Sequence, residues 1–426
     1  MSRSVQTPSK AFAFPNEWQP VRLGSIGKTY GGLTGKSGED FNTGSASYVT
    51  FMQVMGNSRL REPAKGTVNI NPGERQNHVQ KDDLLFNGSS ETPEEVALAA
   101  AVDFHPDSDT FLNSFCFGFR VLPDAPADSL FLAYLFRSSV GRNLVSSLAQ
   151  GATRYNISKT QLLNQAIHLP PKAEQIAIRE KLTDAEELIN SLERLISKKQ
   201  AIKQGMMHEL LTRRTRLPGF IKDWTRSIAG DLGVFKGGIG FPVWAQGGKS
   251  GAYPFFKVSD MNLPGNETVM KTSNNWISEN IRRRLAATAL PAGAIVFAKV
   301  GAAVYLERKR VLGIPSCIDN NMAAFIPDST QIDNRFAYYY FLSFPLSSLV
   351  AMGALPSLNS SQLRSIPFHF PADIEEQKAI AQTLQDVDQE IAALERRLES
   401  ARNIKQGMMQ ELLTGRTRLT IEEASS

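Results

Sequence analysis

Cysteine is nearly absent. Cys116 and Cys317 are the only two in 426 residues, and they lie in different halves without metal or disulfide spacing. A disulfide scaffold is therefore excluded, and a reducing cytoplasm is the expected setting. Long apolar runs are missing as well: none reaches the roughly 18–20 residues of a membrane span. The opening "MSRSVQTPSKAFAF" lacks the layout of a signal peptide, so no membrane association is expected. The five histidines, His78, His105, His168, His208 and His369, are scattered without ligand spacing. There is no G-x-x-x-x-G-K-[ST] loop, and "GGIGFP" from Gly237 is not a dinucleotide fingerprint. No Asn/Asp-Pro-Pro-aromatic stretch of an amino-methyltransferase occurs, since Pro170–Pro171 follows Leu169 and leads into a helix. "EQK" at Glu376–Lys378 is half of a nuclease E-x-K pattern, but it falls in a first helical turn, where acids complement the helix dipole. A chain with these gaps is expected to make and break no bonds itself.

What is present is duplication. "IKQGMMHELLT" from Ile202 recurs as "IKQGMMQELLT" from Ile404, a constant offset of 202, and from Ile202 to Leu217 only His208/Gln410 and Arg213/Gly415 differ. "EWQPVRLGSIGKTYGG" from Glu17 parallels "DWTRSIAGDLGVFKGG" from Asp223, matching Trp18 to Trp224 and Gly31–Gly32 to Gly237–Gly238. "KDDLLFNGSS" around Phe86 parallels "PAGAIVFAKVG" around Phe297, and "GFRVLPD" parallels "AAFIPD". Each half closes on a run into proline, "QGATRYNISKTQLLNQAIHLPP" and "MGALPSLNSSQLRSIPFHFP". A repeat this long is not a solenoid period.

The helical signal is the sharpest. Ile380, Leu384, Val387, Ile391, Leu394, Leu398 and Ala401 are spaced 4-3-4-3-4-3. The first copy repeats the seam at Ile178, Leu182, Ala185, Ile189, Leu192, Ile196 and, as a polar break, Lys199. Asp373 with Glu376 fits a capping box after Pro371. Each seam is expected to pair with the other, antiparallel and within one chain; dimerisation between chains through the same seams is the alternative. The globular parts mix β-type runs (Tyr48–Val54, Leu84–Phe86, Phe255–Val258, Ile295–Phe297) with helical runs (Ser129–Leu148, Arg335–Met352) and Gly/Asn-rich loops. The expected fold is α+β: two globular domains alternating with two long helices that pair as an antiparallel coiled coil, related by a pseudo-two-fold repeat. The expected boundaries are a first domain at 1–170, a helix at 171–215, a second domain at 216–371, a helix at 372–415 and a tail at 416–426.

Charge is unequal between the halves. Residues 1–171 carry 15 basic and 15 acidic side chains, whereas 216–371 carry 16 and 9, a net +7. A basic globular region is compatible with nucleic acid.

Globular unit, long helix, globular unit, long helix, with "EQ" near each helix start and "KQGMM.ELLTGRTRL" at its end, resembles the specificity subunit of type I restriction–modification enzymes. The segments "KGGIGFPVWAQGGKSGAYPFFKVSDM", "LPAGAIVFAKVGA" and "DNNMAAFIPD" look like that family's target-recognition domain. The resemblance runs from about Trp18 to Leu419, and the first recognition domain, "GGLTGKSGEDFNTGSASYVTF", departs more. It implies a subunit without catalysis or cofactor of its own. Each recognition domain would read one half of an interrupted double-stranded DNA site. Two modification subunits carrying S-adenosylmethionine, and through them restriction subunits using ATP and Mg, would assemble on it. The competing readings are a self-sufficient DNA-modifying enzyme, which lacks a motif to support it, and a coiled-coil adaptor without DNA function, which leaves the paired Gly-rich loops unexplained.

Candidate contacts follow from this. Lys36, Lys249 and Lys299 lie in or beside Gly-rich loops, "ERKR" supplies Arg308, Lys309 and Arg310 for phosphates, and "GATRYN" offers Arg154 and Tyr155. An ordinary surface role is the alternative for each. Arg282–Arg284 reads as a solvated helix face. The duplicated Gln204, Met206 and Met207, with Gln406, Met408 and Met409, are candidates for docking two copies of one partner, since thioethers adapt to irregular surfaces. The alternative is core packing, for which Met206 and Met408 are the better placed, on a seam continued through Ile202, Met206 and Leu210.

Overall fold

The structure is a computed structural model that describes residues 14–151, 153–350 and 356–419. The chain falls into two compact units, Met1–Glu193 with Arg396–Ser426, and Arg194–Glu395. Two long helices, α1 (Lys172–Leu211) and α2 (Ile374–Leu412), each contribute one part to either unit.

Both units repeat one β topology. In the first unit a five-stranded sheet runs Gly27–Gly31, Cys116–Val121, Leu84–Asn87, Ala99–Val102, Arg59–Leu60, antiparallel except for its last pair. In the second the order is Gly233–Gly237, Met322–Pro327, Ile295–Ala298, Lys309–Leu312, Val269–Met270, again with only the last pair parallel. A three-stranded sheet is duplicated too, centred on Phe41–Val49 in one unit and Tyr253–Phe256 in the other, each with one antiparallel and one parallel neighbour. His168 and His369 lie in equivalent two-stranded ribbons, paired with Pro20 and Arg226. Sequence identity between the halves is slight here, but Leu84–Asn87 and Ile295–Ala298 are wholly buried runs at the centre of each sheet. Burial on both faces demands only apolar bulk, so different residues give the same strand.

Several expected elements are cut or moved. Ser129–Leu148 is two helices, Ser129–Arg137 and Ser139–Ser146, because Ser138 caps the second, its hydroxyl accepting from Gly141 N–H. Arg335–Met352 is helical over Asn334–Ser343 and ends before Pro345, with a 3₁₀ turn at Leu346–Leu349; Met352 lies outside the described residues. Tyr48–Val54 is not one strand. Extended chain stops at Val49, and Thr50 with Gln53 forms a capping box that starts the helix Phe51–Gly56.

The coiled-coil seam is as read from the spacing. Ile178, Leu182, Leu192 and Ile196 are buried on α1, and Ile380, Leu384, Ile391, Leu394 and Ala401 on α2. Within the first unit, Glu186 pairs with Lys405 and Glu193 with Arg402; within the second, Lys199 pairs with Glu390 and Lys203 with Asp388. Numbers rise along one helix as they fall along the other, so the pair is antiparallel. Lys199, the polar break, holds its place through Glu390.

The two helix ends differ at one backbone position. Arg213 and Gly415, equivalent under the repeat, both have positive φ, 63° and 71°. Glycine adopts this left-handed stop without penalty, whereas a side chain is strained there. Replacing Arg213 with glycine is expected to raise stability by up to about 1 kcal/mol, seen as a higher urea midpoint. The reverse change should be damaging, because a Cβ on Gly415 would lie 2.5 Å from Pro15. Equal or lower stability of the Arg213→Gly chain would contradict this.

Candidate nucleic-acid interface and helix joints

In the second unit the strand Gly233–Gly237 runs into a loop that folds back on the Tyr253–Phe256 strand. A Cβ on Gly238 would lie 1.9 Å from the Asp319 carbonyl oxygen, and one on Gly248 2.2 Å from that of Trp276, so both close approaches need glycine. Phe241 stacks on Phe255 at 3.7 Å between centroids, and Gln246 Nε2 donates to the Phe241 carbonyl at 2.7 Å. Lys257 Nζ donates to Gln246 Oε1 at 3.4 Å. Ala245 is buried, which leaves Val243 and Trp244 at the tip, 86% and 54% exposed. The Arg284 guanidinium lies over the Trp244 ring at 4.4 Å. Its neighbours Arg282 and Arg283 are held by Glu279, whose carboxyl their hydrogen bonds pull down to about 2.

The candidate cations scatter. Lys249 is exposed in this loop. Lys299 is half-buried, and its ammonium lies 3.0 Å from where a Cβ on Gly237 would sit, at the edge of the same loop. Arg308 and Arg310 are half-buried, and Arg310 donates to the Lys309 carbonyl while burial lowers its pKa. Lys309 is a correction: it is 1% exposed, salt-bridged to Glu307 and donating to the Phe344 carbonyl at 3.0 Å. Alternation along the strand Lys309–Leu312 turns it away from its basic neighbours and into the protein. Burial also opposes ionisation of Glu307, but hydrogen bonds from Lys309 and Ser347 outweigh it and hold that carboxyl below its usual range. "ERKR" is thus not one phosphate-facing cluster.

In the first unit Lys36 is likewise consumed locally. Its side chain is 2% exposed, and Nζ meets Glu74 at 2.6 Å, a hydrogen bond that lowers the Glu74 pKa to about 2. Arg154 is exposed and lies 5.5 Å over the exposed Phe115 ring, and Tyr155 is half-buried in a strand paired with Ser90. Ala152 of "GATRYN" and residues 351–355 of the matching loop lie outside the described residues.

The duplicated helix ends have a structural task that sequence reading missed. Arg418 makes two hydrogen bonds to the buried Glu174 carboxylate, at 2.6 and 2.8 Å. Arg216 makes the same fork to Glu376, at 2.8 and 2.7 Å, and Trp224 Nε1 donates to that carboxylate at 3.3 Å. These bonds raise the pKa of both guanidiniums. Each "RTRL" after one helix therefore clamps the "EQ" that opens the other. The adjoining glutamines are equally fixed: Gln175 joins Asp128 N–H to the Pro126 and Pro170 carbonyls, and Gln377 joins Asp333 N–H to those of Gln331 and Pro371. The expected capping box is corrected accordingly. Asp373 Oδ1 does accept from Glu375 N–H, but Glu376 turns to Arg216. The constant offset of "EQ" and "RTRL" was the signal that could have revealed the clamp.

Met207 is the second correction. It is 5% exposed and packs with Leu210, Leu211 and Trp224 in the core of the second unit. Ile202 is 41% exposed, so the seam shifts by one residue at this end. Met206, Met408 and Met409 are half-buried against their units' cores, while Gln204 and Gln406 are exposed. What the two ends leave outside is the set Ile202, Gln204, Gly205 and Ile404, Gln406, with the half-buried Gly407. Both isoleucines are exposed, and a Cβ on either glycine would meet nothing within 4 Å.

Among the described residues no group of His, Cys, Asp and Glu could hold a metal ion, and no helix is long and apolar enough to cross a membrane. Two copies of one loop-bearing α+β unit, each including a segment of both long helices, define a protein built on an internal repeat. A family model described as the type I restriction modification DNA specificity domain matches residues 15–204 and again 222–402. The chain belongs to that family. It is similar to two proteins of Methanocaldococcus jannaschii. The putative type I restriction enzyme MjaX specificity subunit is 27% identical over 306 residues, 68% of each chain. The type I restriction enzyme MjaVIII specificity subunit is 26% identical over 306 residues, 68% of this chain and 71% of that one. In fold it matches the type I restriction–modification S subunit from M. genitalium (TM-score 0.58, 16% identity, 95% and 98% of the two chains). It also matches a chain solved in work on complex assembly and conformational transition of the type I R-M system (TM-score 0.58, 18% identity, 96% and 100%).

Proposed function

We propose that this specificity subunit reads a bipartite, interrupted DNA site, one half with each globular unit, and performs no chemistry. Two modification subunits carrying S-adenosylmethionine dock on it, and restriction subunits using ATP and Mg join through them, in the cytoplasm. The observation that carries this reading is one β topology built twice with unlike loops. The frame is repeated where the task is common, and the loops differ where two half-sites differ. Co-expression with and without the modification subunit tests it. Site-specific binding and methylation by the mixture alone supports the reading, and methylation by this chain alone overturns it.

The loop cations supply the non-specific part of DNA affinity. Lys249 and Lys299, with Lys236, exposed in the strand Gly233–Gly237 that leads into the loop, make no ion pair among the described residues. Their joint replacement by alanine should reduce the slope of log affinity against log salt by about 2–3, near 0.9 per lost phosphate contact. Lys36→Ala should leave it unchanged, because Glu74 already neutralises that charge. The reverse ranking, read from titrations at several salt concentrations, would sink the assignment.

Docking belongs to the exposed twin surface rather than to the methionine pair. A glycine inside a helix costs about 1 kcal/mol relative to alanine, and at Gly205 and Gly407 nothing within the chain requires it. A partner whose backbone packs closely against the helix does. Replacing both glycines with tryptophan should leave folding intact and abolish recruitment of the modification subunits. Size-exclusion chromatography of the co-expressed proteins reads this directly, and normal recruitment by the double variant would place docking elsewhere.

A further inference from the structure

Val243 and Trp244 stand out from the basic loop in which they sit. Side chains of this size are normally turned inward when the loop around them is ordered, and this loop is ordered by the Phe241–Phe255 stack and the Gln246 bonds. The tip is instead apolar and outward, and its indole is fixed by Arg284 at 4.4 Å. The same guanidinium makes no ion pair among the described residues, since Glu279 is taken by Arg282 and Arg283. The surroundings are cationic: Lys249 in the loop, Lys257 against Gln246, and Lys299 at the loop's edge. An apolar tip capped by a guanidinium with no ion pair among the described residues, on a loop that carries further lysines, complements one kind of partner better than others. That partner is a polyanion with stacked, apolar rings inside it. The matching loop of the first unit has no such tip: Leu33 is buried and Lys36 is folded onto Glu74. That unit's exposed aromatic, Phe115 under Arg154, lies in a different turn, before the strand Cys116–Val121.

We propose that the Val243–Trp244 turn is an apolar wedge that the second unit inserts against one base step of its DNA half-site, with Arg284 holding the indole on one side and meeting a backbone phosphate. This rests on the DNA-recognition reading above. Wedges of this kind partly unstack a step and let the protein sense how easily that step deforms. They add discrimination at a position where no hydrogen bond to a base edge is made. No wedge stands at the matching loop of the first unit, so the two halves should differ in where and how strongly DNA is distorted.

The test uses the full chain assembled with modification subunits. Selection from a randomised duplex pool first gives the bound site. 2-Aminopurine is then placed at each step of both half-sites. Each modification subunit flips its own target base, so one bright position in either half-site is expected without any wedge. The wedge predicts one further bright step in a single half-site, an affinity for that site about tenfold to a hundredfold lower in Trp244→Ala, and partial recovery in Trp244→Phe. Loss of that further emission in Trp244→Ala should accompany the loss of affinity. If the selected site binds but no probe brightens beyond the two flipped target bases and Trp244→Ala binds equally well, the wedge is wrong while DNA recognition stands. If Trp244→Ala binds DNA normally but no longer retains modification subunits, the tip is a protein contact and the proposal is overturned. If selection enriches no sequence, the DNA-recognition reading fails and the wedge with it. The brightening assay uses the unmodified chain, so poor folding of a variant cannot obscure the answer.

Discussion

Glu376→Ala should destabilise the second unit by about 2–3 kcal/mol, less than the full cost of breaking a buried ion pair because Arg216 keeps part of its side chain in water. The carboxylate is fully buried and takes three hydrogen bonds, two from Arg216 and one from Trp224. Removing it leaves the buried indole N–H without an acceptor and the guanidinium, 21% exposed, without its carboxylate. The next residue strengthens the case, because Gln377 holds the chain on either side of the helix start through three further bonds. Glu174→Ala should act in the same direction but more weakly on the first unit, where the partner Arg418 is 39% exposed and also pairs with Glu17. A difference between the two is also expected: no indole bond is lost in the first unit, since Trp18 Nε1 has no partner among the described residues. Denaturant unfolding of the whole chain reads both effects. A loss below about 1 kcal/mol in both variants would mean that the clamps are ornaments of the surface.

These clamps show what the sequence does and does not disclose. The heptad spacing from Ile178 and from Ile380 dictated the helices, because burial of one stripe requires that period and nothing else produces it. The 202-residue offset disclosed that the same unit occurs twice. Partnership across the repeat was harder. Arg216 and Glu376 are 160 residues apart, and no local rule links them. Strand ends were misplaced where a side-chain cap outweighed apolar pattern, as Thr50 does by turning the chain into a helix two residues beyond Tyr48. Lys36 and Lys309 misled for a different reason. A lysine beside glycines, like Lys36, or in a basic run, like Lys309, reads as solvent-facing, yet a carboxylate 38 residues away in the first case and two in the second draws it inward. The tip at Trp244 could not be read at all, since an apolar side chain in a loop is normally a core residue and only the fold shows it facing out.

On the proposed reading, spacing between the half-sites is the property that the helix scaffold sets. α1 has 40 residues and α2 has 39, so each is about 60 Å long at roughly 1.5 Å per residue. Both contribute to both units, with Leu195 and Leu394 close to where one unit's share gives way to the other's. Four residues added to each helix extend it by about one turn, or about 6 Å, and approximately keep the apolar seam in phase. Duplex DNA rises about 3.4 Å per base pair. A head carried that far along the axis meets its bases one or two pairs further on, while its loops, untouched, still want the same sequence.

The decisive measurement is therefore the methylated site of a chain with four residues inserted after both Leu195 and Leu394, co-expressed with its modification subunits and mapped by sequencing modified positions in genomic DNA. Both half-sites should be unchanged and the gap between them one or two base pairs longer. An unchanged gap would contradict the claim that the paired helices are the ruler, and an altered half-site would contradict the claim that recognition resides in the two globular units.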